Sequence, residues 1–234
     1  MKAIFNRELD SYFNSMLGYV FLTIFLLMTG VMFTLANLMS TSASMTGFFS
    51  NINGWSMFIL PILTMRMFSE DKKLKTDQLL LTAPISIWSM VLGKFFAAFC
   101  VLLTGTAITL FYPITINFFG NVALGETISC YVGFILLCAV IISIGAFMSS
   151  LTESQIVAAL STYGVLILTL FIGSAASAVS NEVISNILMW ISPIQRFSSF
   201  TMGILDLESI VYYLSLTVLF LFLTVTVFEK RRFK

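Results

Sequence analysis

The sequence contains no histidine, and only 10% of its 234 residues are charged. Histidine is the usual general base at neutral pH and the commonest metal ligand, so most catalytic and metal-binding arrangements are excluded. Acidic residues are absent from the long apolar segments, which removes paired carboxylates for proton transfer. The three cysteines, Cys100, Cys130 and Cys138, lie inside apolar segments without metal-ligand spacing, which predicts small buried side chains and no disulfide.

A phosphate-binding loop is also missing. Gly93-Lys94 is the nearest match, but Trp88 stands where the first glycine would be required, and Phe95 replaces the serine or threonine after the lysine. We therefore expect no nucleotide or cofactor in this chain, no metal, no catalytic residue and no nucleic-acid partner. The chain is predicted not to be an enzyme by itself.

Apolar residues are abundant instead, at 59% of the chain with 24 phenylalanines and a mean hydropathy of +1.00. That much apolar surface requires lipid as its solvent. A bilayer core of about 30 Å takes roughly 20 residues per helix, and six such spans fit. The sequence predicts one all-α polytopic membrane domain, 1–234, with spans at about 17–37, 54–67, 91–116, 127–147, 156–178 and 209–228. Span 54–67 is short and contains Pro61, which predicts a kink or shielding by neighbouring helices.

Basic residues are segregated in this arrangement. Eleven of the twelve fall on one side of the six spans, and only Arg196 falls on the other. Positive residues favour the cytoplasmic side, so both termini and the loop between spans two and three are predicted to be cytoplasmic. Charge continues through Asp10 and is followed by an apolar run of spanning length, so we expect no cleavable signal.

Two apolar segments fall outside the spans. Residues 2–16 alternate apolar and charged positions at helical spacing, with Phe5 and Leu9 on the apolar side. This pattern predicts an amphipathic helix in the membrane interface, and a partly ordered cytoplasmic tail is the alternative. Residues 179–208 carry a helical apolar pattern that stops at Pro193 and is too short to span, which predicts a re-entrant or interfacial helix on the outer side.

The loop 65–94 holds five of the twelve basic residues and three of the eleven acidic ones. Its acids precede its bases by one turn, which suits the helix dipole and predicts the pairs Glu70–Lys73 and Asp71–Lys75 in a helix over about 69–81. Ser86 is predicted to cap the next helix. The loop is interpreted as a docking surface, and the alternative is an ordinary solvated positive-inside loop.

Four further residues lie near this side. Thr152 and Gln155 have the spacing of a capping box for span five, which leaves Glu153 as an exposed charge. Lys94 lies about a turn inside span three. It is interpreted as a snorkelling anchor, or alternatively as a contact for an anionic substrate at the inner mouth.

Longer stretches carry a resemblance to a known family. LPILTMRMFSEDKKxxTDQLLLTAPIS at 60–86 and VLGKF at 91–95 resemble the core of ABC-2 type permeases, the six-helix membrane subunits of ABC exporters. SSLTESQIVAA at 149–159 and the stretch 203–224 are similar to the branch with gliding-motility-associated permeases. The resemblance covers essentially the whole chain and implies a type V exporter-like fold with an N-terminal interface helix, a coupling helix and outer re-entrant helices.

The resemblance also implies a function in the bacterial inner membrane. A separate cytoplasmic ABC ATPase would bind ATP and Mg²⁺, and a second permease, identical or homologous, would complete a dimer in lipid. The residues expected to couple to the ATPase are Arg7, Glu70, Asp71, Lys72, Lys73, Thr152 and Glu153. The substrate is not fixed, and force transmission to an extracytoplasmic partner is an alternative to solute export. An alternative from a different functional class is a membrane scaffold or assembly factor. An ion-coupled secondary transporter is disfavoured because ionisable residues are missing inside the predicted spans.

Overall fold

The computed structural model describes residues 1–40, 42–76, 86–118, 120, 123–178 and 192–232. Within those ranges the chain is helical and has no β-strand. The α-helices are α1 (Lys2–Asn14), α2 (Met16–Phe33), α3 (Thr46–Thr64), α4 (Ser69–Lys73), α5 (Ile87–Thr109), α6 (Phe111–Asn117), α7 (Leu124–Leu151), α8 (Gln155–Ala178), α9 (Pro193–Thr201) and α10 (Leu207–Arg232). A π-helical turn, Thr34–Leu38, continues α2.

Among the described residues, five helical segments are long and apolar enough to cross a membrane, which makes this a multi-pass membrane protein. They are Met16–Leu38, Ile87–Asn117, Leu124–Leu151, Gln155–Ala175 and Leu207–Arg231. Each contains one of the predicted spans or most of it. The predicted cap of α5 is confirmed, since Ser86 Oγ accepts the Ser89 backbone N–H at 3.2 Å.

The remaining predicted span, 54–67, differs in its bounds from the helix that the structure describes there. The helix there is α3, which starts eight residues earlier at Thr46 and ends at Thr64. Its first turns are polar, but they bury Phe48 and Phe49, and the Phe49 ring lies edge-on to Tyr131 at 4.8 Å. Tertiary packing therefore makes helical a stretch that composition assigns to a loop.

Helix α7 is the centre of the bundle. Of its most apolar window, 78% is buried, against 22–44% for the other four spanning segments. It is closely approached by α3: a Cβ built on Gly145 would lie 2.1 Å from Thr64 Oγ1. Only glycine lets the two backbones come that near. The elements around α7 therefore have little freedom to shift independently of it.

Helix α1 confirms the predicted N-terminal helix but buries a different face. Ile4 and Tyr12 are buried, and Glu8 lies between them at the same helical spacing. Ile4 packs against α5, where a Cβ on Gly93 would be 3.1 Å from Ile4 Cγ2. The helix ends at Asn14, two residues before the predicted boundary, where Ser15 becomes extended. Its depth in the membrane interface stays a prediction.

The predicted outer segment 179–208 is described only from residue 192. The predicted re-entrant helix before Pro193 lies outside the described residues. Pro193 occupies the first turn of α9, where a missing backbone N–H costs nothing. Phe197 and Phe200 of α9 are buried, and a Cβ built on Gly133 of α7 would lie 2.6 Å from the Phe200 ring. Helix α9 is thus packed onto the end of the bundle.

Candidate functional site

Charged side chains from four elements meet at one end of the bundle. We call this region the charged end: α1, the C-terminal end of α3, α4 and the first turns of α5. A cavity of about 250 Å³ lies among them. It is lined by Arg7, Glu8, Ser11, Tyr12, Arg66, Met67, Glu70, Asp71, Leu74, Thr76 and Lys94. Three cationic and three acidic side chains in this set balance each other in charge.

Lys94 is the centre of the charged end. Its side chain is 3% exposed, and its Nζ lies 2.9 Å from Glu8 Oε2 and 2.8 Å from Asp71 Oδ2. The ammonium also lies 5.5 Å from the centre of the Phe68 ring. Burying one cation is costly, and two carboxylates with an aromatic face offset that cost. Lys94 therefore does not snorkel to solvent; it joins α1, α4 and α5. Its contact with an anionic substrate stays a prediction.

The two acids of α4 do not make the predicted pairs. Glu70 forms an ion pair with Arg66, one turn earlier in the chain. Asp71 pairs with Lys94, and its Oδ1 accepts the Thr76 hydroxyl at 2.9 Å. The predicted Glu70–Lys73 and Asp71–Lys75 pairs are wrong, because Arg66 in the turn after α3 pairs with Glu70 and Lys94 of α5 pairs with Asp71.

The predicted coupling helix over 69–81 is also wrong in extent. Helix α4 ends at Lys73, and Lys75 has a positive φ of 57°. A left-handed lysine breaks helical geometry, so one continuous helix through this point is excluded. Residues 77–81 of the prediction lie outside the described residues. The acids and bases of this segment therefore lie on one short helix, α4, and on the turn that follows it.

Ser149, near the end of α7, holds the start of α4. Its Oγ accepts the backbone N–H groups of Phe68 and Ser69, each at 3.0 Å, and donates to the Met65 carbonyl at 3.1 Å. Ser149 is fully buried. One hydroxyl thus satisfies three backbone groups at the junction of α3 and α4, groups that water cannot reach.

Lys72 attaches α4 to two more helices. Its Nζ donates to the Ser150 carbonyl of α7 and lies 5.6 Å from the centre of the Phe228 ring of α10. With 3% exposure, Lys72 is no free surface charge. Together with Lys94 and Ser149, it makes α4 a rigid extension of α1, α5, α7 and α10.

The predicted ATPase contacts divide into two groups by exposure. Arg7, Lys73 and Glu153 are exposed. The other four, Glu70, Asp71, Lys72 and Thr152, are part-buried or buried. Of these, Glu70, Asp71 and Lys72 bond to residues outside α4. The predicted capping box is wrong, because α8 begins at Gln155 and Thr152 Oγ1 accepts the Ser154 backbone N–H at 3.2 Å. Whether any of the seven contacts an ATPase stays a prediction.

Sequence reasoning missed Glu8, Tyr12, Arg66 and Ser149 as members of this region. The Ile4–Glu8–Tyr12 spacing was a usable signal, because a carboxylate at the centre of a buried helical face requires a cation. The Tyr12 hydroxyl points to the Leu63 carbonyl at 3.4 Å. Burial, with a smaller contribution from the Glu8 carboxylate, raises the pKa of Tyr12 well above its usual range, so the phenol stays a neutral donor.

The acids and bases of the charged end are arranged as ion pairs between elements. The described residues hold no group of three metal-binding side chains, and every acid in the cluster is neutralised by an adjacent base. Such a region can transmit displacement between helices, because buried ion pairs and backbone contacts resist separation.

A comparison with protein families gives a match over most of the chain. A family model described as ABC-2 family transporter protein matches residues 38–228, which is most of the chain. The match begins at the end of the π-helical turn and ends near the close of α10, so it includes α4 and Lys94 but not α1. No curated protein matches this sequence.

Proposed function

The chain belongs to the ABC-2 family of transporter proteins, and from this premise we propose that it is the membrane-spanning permease subunit of an ABC exporter. The family implies an ABC ATPase subunit as partner, and in our proposal that separate chain binds ATP and Mg²⁺. The single observation that carries the proposal is the attachment of α4 to four other helices through Lys94, Lys72 and Ser149. When a helix held in this way is displaced, the helices bonded to it are displaced with it.

The proposal includes six spans with the charged end in the cytoplasm. Helix α3 is the sixth span: its 19 residues are long enough to cross most of a bilayer, and its polar first turns are shielded by aromatic packing. Eleven of the twelve basic residues then lie on the cytoplasmic side of a bacterial inner membrane, with both termini. Arg196, the exception, pairs with Glu208 at 2.9 Å.

In this proposal the exposed and the buried charges have different roles. Arg7, Lys73 and Glu153 contact the ATPase, since they are accessible. Asp71 and Lys72 pass its movement on, since they bond to α5 and α7. Closure of the ATPases would displace α4 and with it the helices to which it is attached.

A second permease, identical or homologous, completes the proposed transporter. The best-placed surface is formed by α8 and the adjacent part of α3, which expose Phe58, Leu160 and Phe171 at 50%, 63% and 65%. The Tyr163 hydroxyl donates to the Phe58 carbonyl at 2.7 Å and joins the two helices into one face. A pathway along this face would be apolar with few charges, which favours an amphiphilic substrate over an ion.

Co-purification tests the proposal. The chain is expressed together with the ABC ATPases of its source genome, and detergent extracts are purified through the permease. We expect the ATPase to be retained and its hydrolysis rate to change on reconstitution. Extracts that retain no ATPase would support the scaffold alternative, whereas retention without solute movement in vesicles would support force transmission.

A further inference from the structure

The outward-facing part of α4 and of the turn after it consists of Lys73, Leu74 and Lys75, which we call the α4 tip. All three side chains are exposed, and Leu74 is 63% exposed. Residues 69–72, which precede the tip, are buried or part-buried. Neither lysine of the tip forms an ion pair within the described part of the chain. The surface that α4 offers to a partner is therefore one apolar side chain between two cations.

The backbone of the α4 tip is held in place from both sides. The Leu74 N–H donates to the Glu70 carbonyl at 2.9 Å. The Thr76 hydroxyl donates to Asp71 Oδ1 at 2.9 Å, and Asp71 itself pairs with Lys94. A side chain on a backbone that is already ordered loses little further freedom on binding, so its burial contributes more fully to affinity.

Lys75 is the unusual residue of the α4 tip. Its φ of 57° lies in the left-handed region, which is unfavourable for a residue that carries a side chain. Its N–H donates to the Lys72 carbonyl at 3.1 Å, so the chain turns directly after Leu74. Backbone strain of this kind is concentrated at segments that contact ligands or change conformation. Here it ends the helix beside Leu74 and leaves that side chain exposed.

Leu74 has polar surroundings, although it is apolar itself. It lines the cavity of about 250 Å³ at the charged end, together with Glu70, Asp71 and Thr76. Hydrocarbon cannot solvate such groups. A segment that binds anionic lipid is basic throughout, whereas acids and bases are mixed here. These surroundings favour a protein surface over lipid as the occupant of the α4 tip.

We propose that Leu74 is the anchor of the ATPase contact, and that the ATPase receives it in an apolar pocket with carboxylates at the rim for Lys73 and Lys75. The proposed function supplies this partner, so the inference rests on that function and adds the chemistry of the contact. Protein interfaces combine an apolar core with a polar rim, and an aliphatic side chain in a pocket is a usual centre for such a core. The rim charges mainly set the association rate and the choice of partner.

Binding of the purified ATPase to the full-length permease in phosphatidylcholine nanodiscs tests the anchor. The ATPase is the one that co-purifies with the chain. Leu74→Ala removes most of a side chain that the complex would bury, so we expect the Kd to rise about 10- to 100-fold. Leu74→Met keeps the apolar volume and should change the Kd by less than about fivefold.

Leu124→Ala supplies the matched control. Leu124 is 69% exposed at the first residue of α7, roughly 37 Å along that helix from the Ser149 contact with α4. Its truncation should leave the Kd unchanged. The Leu74→Ala permease alone should unfold at the same temperature as the original chain, because the side chain is exposed when no ATPase is bound. Weaker binding then reflects the contact and not the fold.

Salt separates the anchor from the rim. Lys73→Gln and Lys75→Gln should each weaken binding at about 0.05 M salt and have less effect at about 0.5 M, because salt screens exposed charges. The loss caused by Leu74→Ala should persist at both concentrations. A loss from Leu74→Ala that disappears at high salt would contradict an apolar anchor.

A Leu74→Ala chain that binds the ATPase as tightly as the original chain would overturn the inference and leave the proposed function standing. An equal loss from Leu74→Met or from Leu124→Ala would also overturn it. A chain that retains no ATPase at all would overturn both. The lipid alternative has its own readout: a fluorophore on Leu74→Cys, in a chain without other cysteines, that is quenched by brominated lipid and unaffected by the ATPase would assign Leu74 to the bilayer instead.

Discussion

Removal of the Lys94 ammonium is the sharpest test of the charged end. In Lys94→Met the Glu8 and Asp71 carboxylates lose the cation that each now meets within 3 Å. Their side chains are only 14% and 20% exposed, so water does little to replace it. Breaking a buried ion pair by removing one partner costs about 3–5 kcal/mol. We expect Lys94→Met to lower the unfolding temperature of the purified protein strongly.

A charge-free variant separates stranded charge from lost packing. Methionine keeps most of the lysine stem, and Glu8→Gln with Asp71→Asn removes both carboxylates. Replacing Lys94 and both of its carboxylate partners by neutral groups is often close to neutral for stability. Arg7, the other cation beside Glu8, is exposed to solvent, so the triple variant should recover most of the loss. The assay is thermal unfolding in one detergent, followed by tryptophan fluorescence. A Lys94→Met protein as stable as the original chain would refute the reasoning, and so would a triple variant as unstable as the single one.

Two further predictions concern how α7 holds its neighbours, and both use the same unfolding assay. Ser149→Ala leaves two buried N–H groups without an acceptor and should lower the free energy of unfolding by about 2–4 kcal/mol. The control Ser161→Ala removes a hydroxyl that bonds only within its own helix and should be nearly neutral. Equal effects of the two substitutions would contradict the role of Ser149. Gly145→Ala places a methyl group against Thr64 and should lower the free energy of unfolding by about 1–3 kcal/mol. The control Gly164→Ala places its methyl group in open space and should not destabilise the protein. If Gly145→Ala were equally stable, α3 and α7 could move apart at little cost in free energy.

Local signals in the sequence predicted much of the fold. The long apolar segments gave five spanning helices close to their bounds, because length and hydropathy are properties of each segment alone. The Ser86 cap was predictable for the same reason, since it involves residues three apart. Helix α3 was placed wrongly at its start because the burial of Phe48 and Phe49 depends on α7, which local composition does not contain.

The candidate site was predictable in location but not in its bonds. The charged loop indicated where to look, yet Asp71 pairs with Lys94 in another helix rather than with its neighbour Lys75. Glu8 is one of the charged residues of 2–16, and one of its two cations, Lys94, lies 86 residues further along the chain. Ser149 carries no sequence signal, because any serine in an apolar helix can bond within its own turn. Such long-range partners require the packed structure.

The central claim is that α4 is the element through which an ATPase acts on this chain. The most direct measurement is thiol crosslinking between the co-purifying ATPase and single-cysteine permeases in which Cys100, Cys130 and Cys138 are replaced by serine or alanine. Lys73→Cys presents a thiol at an exposed position of α4, and Met202→Cys presents one at the far end of the bundle, where Met202 is 72% exposed. We expect an ATPase adduct from Lys73→Cys that changes in yield when ATP is added, and none from Met202→Cys. An adduct from Met202→Cys, or a retained ATPase that never crosslinks to Lys73→Cys, would contradict it.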